Sequence, residues 1–170
     1  ASLSLDLDNL WSYMKTAGIA GWEAFPSYLD LVVPRILERL ERHGMTITFF
    51  VVGQDAALER NGAALAAIAE AGHEIANHSF HHEPWLSRAP REAMEAELAA
   101  AEDAILQATG KRTTGFRGPS FCLSTPLLEV LAERGYAYDA STLPTFLGPL
   151  ARAYYFTRSD LGKDERRKRS

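Results

Sequence analysis

Gly72-His73-Glu74-Ile75-Ala76-Asn77-His78-Ser79-Phe80-His81-His82 is the stretch on which both fold and chemistry turn. After the glycine, the run to Asn77 reads as a short strand. Its end hands the chain to two imidazoles, His78 and His82, four residues apart. One helical turn across them would put both side chains on one side, with Cβ atoms about 5–6 Å apart. Two neutral imidazoles and one carboxylate make a catalytic zinc shell that keeps a position open for water. In a His-Glu-x-x-His motif the glutamate is the general base. Ser79 stands in that place here, so a base has to come from elsewhere.

Working outward, strand-like runs alternate with helical ones. Ser2 to Leu7 alternates as a strand and ends in Asp6-Leu7-Asp8. Asn9 to Pro26 is rich in aromatics and glycine and reads as a loop. Leu29, Val32, Val33, Ile36, Leu37 and Leu40 recur at helical spacing. Pro34 either kinks that helix or opens its main part. Thr46 to Val52 is β-branched and aromatic, a buried strand closed by Gly53. Ala63 to Ala71 reads as a helix. Pro90 to Ala108 is amphipathic, with Met94, Leu98, Ala101, Ile105 and Ala108 on one face. Thr113 to Phe116 is a strand leading to Arg117. Ser124 is an N-cap, with Pro126 inside the helix that follows. Tyr136 to Tyr138 is a fifth strand, leading to Asp139.

Short strands alternating with helices predict parallel βα units. A full (β/α)₈ barrel needs roughly 200 residues or more, and this chain has 170. The expectation is an α/β fold of distorted (β/α) barrel type, incomplete in this chain. Residues 1–160 form the catalytic domain, and residues 161–170 a charged, disordered tail.

In parallel α/β folds, ligands sit at the carboxyl ends of the strands. Asp6 and Asp8, the His78–His82 pair, Arg117 and Asp139 each follow a different strand, so they should converge on one face. If the strand persists, Asp6 and Asp8 point the same way. A cation relieves their repulsion, and the other carboxylate can then take a proton from water. An arginine facing a carboxylate keeps it ionised and oriented.

In their order and spacing these motifs resemble the polysaccharide deacetylase family, the NodB-homology enzymes of carbohydrate esterase family 4. Asp-x-Asp, His-Ser-x-x-His and Arg-x-Pro carry the resemblance, helped by Thr48 to Gly53, by Gly72 to Asn77 and by Tyr138 to Ser141. It implies a metal-dependent hydrolase that removes acetyl groups from a carbohydrate polymer. Asp8, His78 and His82 match the family's metal ligands, with zinc the expected ion. Asp6 matches its base and Arg117 the residue that orients the base. Ser120 and Phe121 stand where a backbone N–H helps hold the oxyanion, and Asp139 and Trp11 are further candidates for substrate contact. The family's downstream acid histidine has no counterpart, since no histidine follows His82. The charged end is read as a cut before that motif.

Other features narrow the partners. A net charge of -4 gives no basic surface for nucleic acid. No apolar run approaches the roughly 20 residues of a membrane span. No signal peptide is visible before the strand-like run that starts at Ser2, so the default expectation is a cytoplasmic chain, and a protein of bacterial type. Open strand edges favour further chain or a second copy. Trp11, Tyr13, Trp22 and Phe25 either stack on sugar or roof the barrel. His43 and His73 read as structural, His81 as a bystander, and Cys122 as a packed apolar residue. Two rivals stay open: a glycan-binding module without turnover, and a hydrolase of small amides on the same scaffold.

Overall fold

The computed structural model describes residues 2–142. Five strands, β1 (Ser4–Leu7), β2 (Thr48–Val51), β3 (Glu74–Asn77), β4 (Gly115–Phe116) and β5 (Tyr138–Asp139), form one sheet in sequential order. Every neighbouring pair is parallel. This is the α/β arrangement of an incomplete (β/α) barrel. The strands are shorter than the apolar runs predicted. Even so, each site residue named above lies on one of these strands or in the segment that follows it. The charged tail lies outside the described residues.

Parallel strands need crossovers, and helices supply them. They are α2 (Leu29–Arg42), α3 (Gly53–Ala56), α4 (Gly62–Glu70), α5 (Arg91–Thr109) and α6 (Thr125–Glu133). Pro34 lies inside α2, five residues past its start, and the helix runs on to Arg42. Ser124 caps α6 as its sequence predicts, its Oγ accepting from the Leu127 N–H at 3.3 Å. The region Asn9 to Pro26 is not the loop expected. It holds α1 (Leu10–Ala17) and a 3₁₀ turn at Trp22–Ala24. Gly18, at φ 72°, ends α1 in the left-handed conformation that glycine adopts at no steric cost.

One core joins β1, β2 and β3 to α2, α4 and α5 through Leu7, Val33, Phe49, Leu65, Ile75 and Ile105, all buried. A second gathers Met94, Leu98, Phe116, Leu127 and Val130 under α5 and α6. The alanines of α5 have a reason. A Cβ on Gly53 would lie 2.7 Å from Ala101 Cα, so α3 and α5 approach too closely for larger side chains. That approach fixes α3, whose first N–H groups hold the histidine segment. Gly53 N and Gln54 N donate to the carbonyls of Ser79 and Phe80, each at 2.9 Å.

Candidate metal centre

Three strand ends meet here. His78 N donates to Val51 O at 2.9 Å, and Arg117 N donates to Asn77 O at 3.0 Å. Asn77 closes a tight turn with its side chain, accepting from Ser79 N at 2.7 Å. The 78–82 segment is not the helical turn expected. Ser79 and His82 have φ of 62° and 52°, values uncommon for residues other than glycine. The two rings meet because the chain bends twice, and their centroids lie 5.1 Å apart.

His78 is buried, and its Nδ1 donates to Arg117 O at 2.6 Å. A carbonyl can only accept, so Nδ1 carries the proton and Nε2 keeps its lone pair. That nitrogen lies 3.6 Å from Asp8 Oδ1, and His82 Nε2 lies 3.5 Å from the same oxygen. One ligand atom from each of Asp8, His78 and His82 can be chosen so that all lie within 4.8 Å of one another. Ligands bonded at ~2.0–2.1 Å in a tetrahedral zinc shell stand about 3.3 Å apart, so two of the three pairs are near that separation. Asp8 Oδ1 is buried and has no hydrogen-bond partner. A bare carboxylate oxygen is costly to bury, and a cation held with the two imidazoles would satisfy it. The donor set therefore fits a divalent metal.

Electrostatics agree with the geometry. Burial alone would raise the Asp8 pKa, but His82, His78 and the Tyr13 hydroxyl bring it down to about 2. Burial holds His78 below the usual imidazole range, against the pull of Asp8. Both groups thus favour the state that binds a cation.

Asp6 Oδ2 lies 4.0 Å from His78 Nε2. Its Oδ1 accepts from Arg117 Nη1 at 2.6 Å. The guanidinium also donates to Ser4 Oγ at 2.8 Å and to Ala140 O at 3.2 Å, and lies 4.0 Å over the Phe50 ring. Asp6, Asp8, His78, His82 and Arg117 are thus brought together.

The remaining candidates fall differently. Trp11 is 4% exposed, and its Nε1 donates to Asp55 Oδ1 at 2.9 Å, so no ring face is open to a sugar. Phe121 N donates to Gly118 O at 2.9 Å and cannot also serve an oxyanion in this conformation. Ser120 and Phe121 both have left-handed φ, near 55°. Asp139 is not among the grouped ligands and is engaged by Ser141. Its oxygens accept from Ser141 N and Oγ at 2.9 and 2.7 Å, while Ser141 Oγ accepts from Gly118 N at 2.8 Å. Asp139 therefore braces the Arg117 turn.

Sequence reasoning gave no role to Ser4, Tyr28, Ser141 or the buried group of Asn9, Ser27, Asp55 and Asn61. Asn9 Nδ2 donates to Asp55 Oδ1 at 2.7 Å and to Ser27 Oγ at 3.0 Å. Burial pushes the Asp55 carboxyl pKa up. Nothing near Asn9 in the sequence signals this group, since Ser27 and Asp55 lie 18 and 46 residues away.

Comparison with known proteins places this geometry in a wider set. A family model described as polysaccharide deacetylase matches residues 22–138; β1 and α1 precede that span. The chain is 31% identical over 110 residues to the peptidoglycan-N-acetylmuramic acid deacetylase PdaA of Bacillus subtilis, covering 64% of this chain and 41% of that protein. It is 31% identical to a Mycobacterium smegmatis protein whose crystal structure is described as a polysaccharide deacetylase, with a TM-score of 0.70 over 81% of this chain and 49% of the other. A CE4-family pseudoenzyme from Bacillus anthracis shares the fold at TM-score 0.63 and 20% identity, over 81% and 41% of the two chains. The chain spans about two-fifths of the length of the curated relatives it matches first.

Proposed function

The chain belongs to the polysaccharide deacetylase family, and on that premise we propose that it is a metal-dependent hydrolase removing N-acetyl groups from a carbohydrate polymer. The observation that carries the reading is the convergence of Asp8, His78 and His82 beside an aspartate already held by an arginine. Relatives named as peptidoglycan deacetylases point to the acetylated glycan strands of peptidoglycan as the substrate class.

In this reading Asp8, His78 and His82 hold the ion, and zinc suits two imidazoles and a carboxylate. When bound, the ion supplies Lewis acidity to the acetyl carbonyl and to the attacking water. Asp6 removes the proton of that water, and Arg117 keeps Asp6 ionised and aimed. Water adds to the carbonyl carbon, the C–N bond breaks, the amine takes up the proton that Asp6 removed, and acetate and a free amino sugar leave. Asp139 and Ser141 steady the turn that carries Arg117. Among the described residues no helix is long and apolar enough to cross a membrane.

The test is acetate release from N-acetylglucosamine oligomers and from peptidoglycan by zinc-loaded protein. Asp6→Asn should retain zinc and lose turnover; full activity in that variant would remove Asp6 as the base. A second reading, a glycan-binding domain without turnover, is suggested by a chain of the same fold that is described as a CE4-family pseudoenzyme. Glycan binding with no acetate release from the zinc-loaded protein would select it.

A further inference from the structure

We propose that Tyr13 is a positioning residue for the metal centre, selecting which oxygen of Asp8 faces the two imidazoles. The inference rests on the metal reading above and extends it to α1, a helix outside the span matched by the family model.

An aspartate carboxylate turns easily about its last torsion, whose preferences are broad. Something must therefore fix which oxygen points where. Tyr13 Oη donates to Asp8 Oδ2 at 3.0 Å. The other oxygen, Oδ1, is buried without a hydrogen-bond partner and lies 3.6 and 3.5 Å from the Nε2 atoms of His78 and His82. One oxygen is engaged by a phenol, and the other is left toward the ligand nitrogens. A second phenol fixes the main chain at the same residue, with Tyr28 Oη donating to Asp8 O at 3.0 Å.

Tyr13 can do this because α1 is itself pinned. Two residues earlier, Trp11 Nε1 donates to the buried Asp55. Two residues later, Lys15 Nζ donates to His81 O at 2.9 Å, tying α1 to the histidine segment. The Tyr13 ring lies against the His82 ring at a centroid distance of 6.3 Å, yet the residue is 50% exposed. Removing its hydroxyl should therefore leave the fold unchanged while freeing the carboxylate. Groups that orient metal ligands typically carry 10–100-fold in metal affinity.

The experiment is zinc affinity, by competition with a chromophoric chelator, for wild type and Tyr13→Phe. It is paired with melting of the chelator-treated proteins and with the visible spectrum of the cobalt-loaded forms. Tyr13→Phe should bind zinc about tenfold more weakly, melt at the wild-type temperature without metal, and show an altered cobalt spectrum. Unchanged zinc affinity and cobalt spectrum in Tyr13→Phe, with zinc bound by wild type, would overturn the inference alone. No zinc on wild type would overturn the metal reading and the inference with it.

Discussion

The main-chain oxygen of Arg117 accepts from His78 Nδ1 at 2.6 Å, while its own guanidinium grips Asp6 at 2.6 Å. One residue thus sets the tautomer of a proposed ligand through its backbone and orients the proposed base through its side chain. The two roles separate by mutation. Arg117→Lys keeps the carbonyl but loses the planar fork that reaches Asp6, Ser4 and Ala140 together. Bound zinc should stay near wild type while kcat falls by about 10²-fold or more. Zinc content and turnover on the same preparation check this.

His82→Ala should abolish tight zinc binding. It removes a nitrogen 3.5 Å from the buried Asp8 oxygen, and two remaining ligands do not make a catalytic zinc shell. Metal per chain by mass spectrometry, after purification without chelator or nickel resin, is the measurement. Stoichiometric zinc in the variant would contradict the ligand set.

Acid should destabilise the metal-free protein. Burial lowers the folded pKa of His78 below its ordinary 6.5. In the window below 6.5 the unfolded chain therefore binds more protons than the folded one, and stability drops as pH drops. Asp8 adds the same sign lower down, between 3.8 unfolded and about 2 folded. Melting of chelator-treated protein should be level near pH 7.5 and fall from about pH 6.5 to pH 5, where His73, which burial also holds low, adds the same sign. A flat profile would mean that His78 takes up its proton in the folded state.

Gly53→Ala should lower stability by about 1–3 kcal/mol, the usual cost of overpacking. Its new methyl would meet Ala101 Cα at 2.7 Å and the Phe80 ring at 2.6 Å. Because α3 also holds the Ser79 and Phe80 carbonyls, zinc affinity should fall together with the melting temperature. Ser124→Ala is the contrast. It should cost about 1 kcal/mol through the lost cap and leave zinc affinity alone.

Much of this was legible in the sequence because strand ends are predictable. Short apolar runs with glycine stops located all five strands, and the parallel rule then placed Asp6, Asp8, His78 and Arg117 on one face. Backbone geometry was harder to read. His-x-x-x-His suggests a helical turn, but Asn77 and Gly53 impose a bent one through contacts distant in sequence. Helix α1 was masked by the glycines and aromatics around it. Its apolar face is narrow, and its buried positions include Ser12 and Thr16, whose hydroxyls bond back to Asn9 O and Ser12 O. Trp11 was an attractive sugar platform by residue type, and only packing reveals that its ring faces inward.

On a flat sheet, β1 and the end of β4 would lie three strand spacings apart, about 14 Å, too far for one arginine side chain to cross. Arg117 nevertheless holds Ser4 and Asp6 directly, so the sheet must be curled. The guanidinium acts as a bowstring across that curl, with Phe50 beneath it. The bend of the sheet and the aim of the base are therefore one mechanical property. Slackening the string would let the bow open and draw Asp6 away from His78.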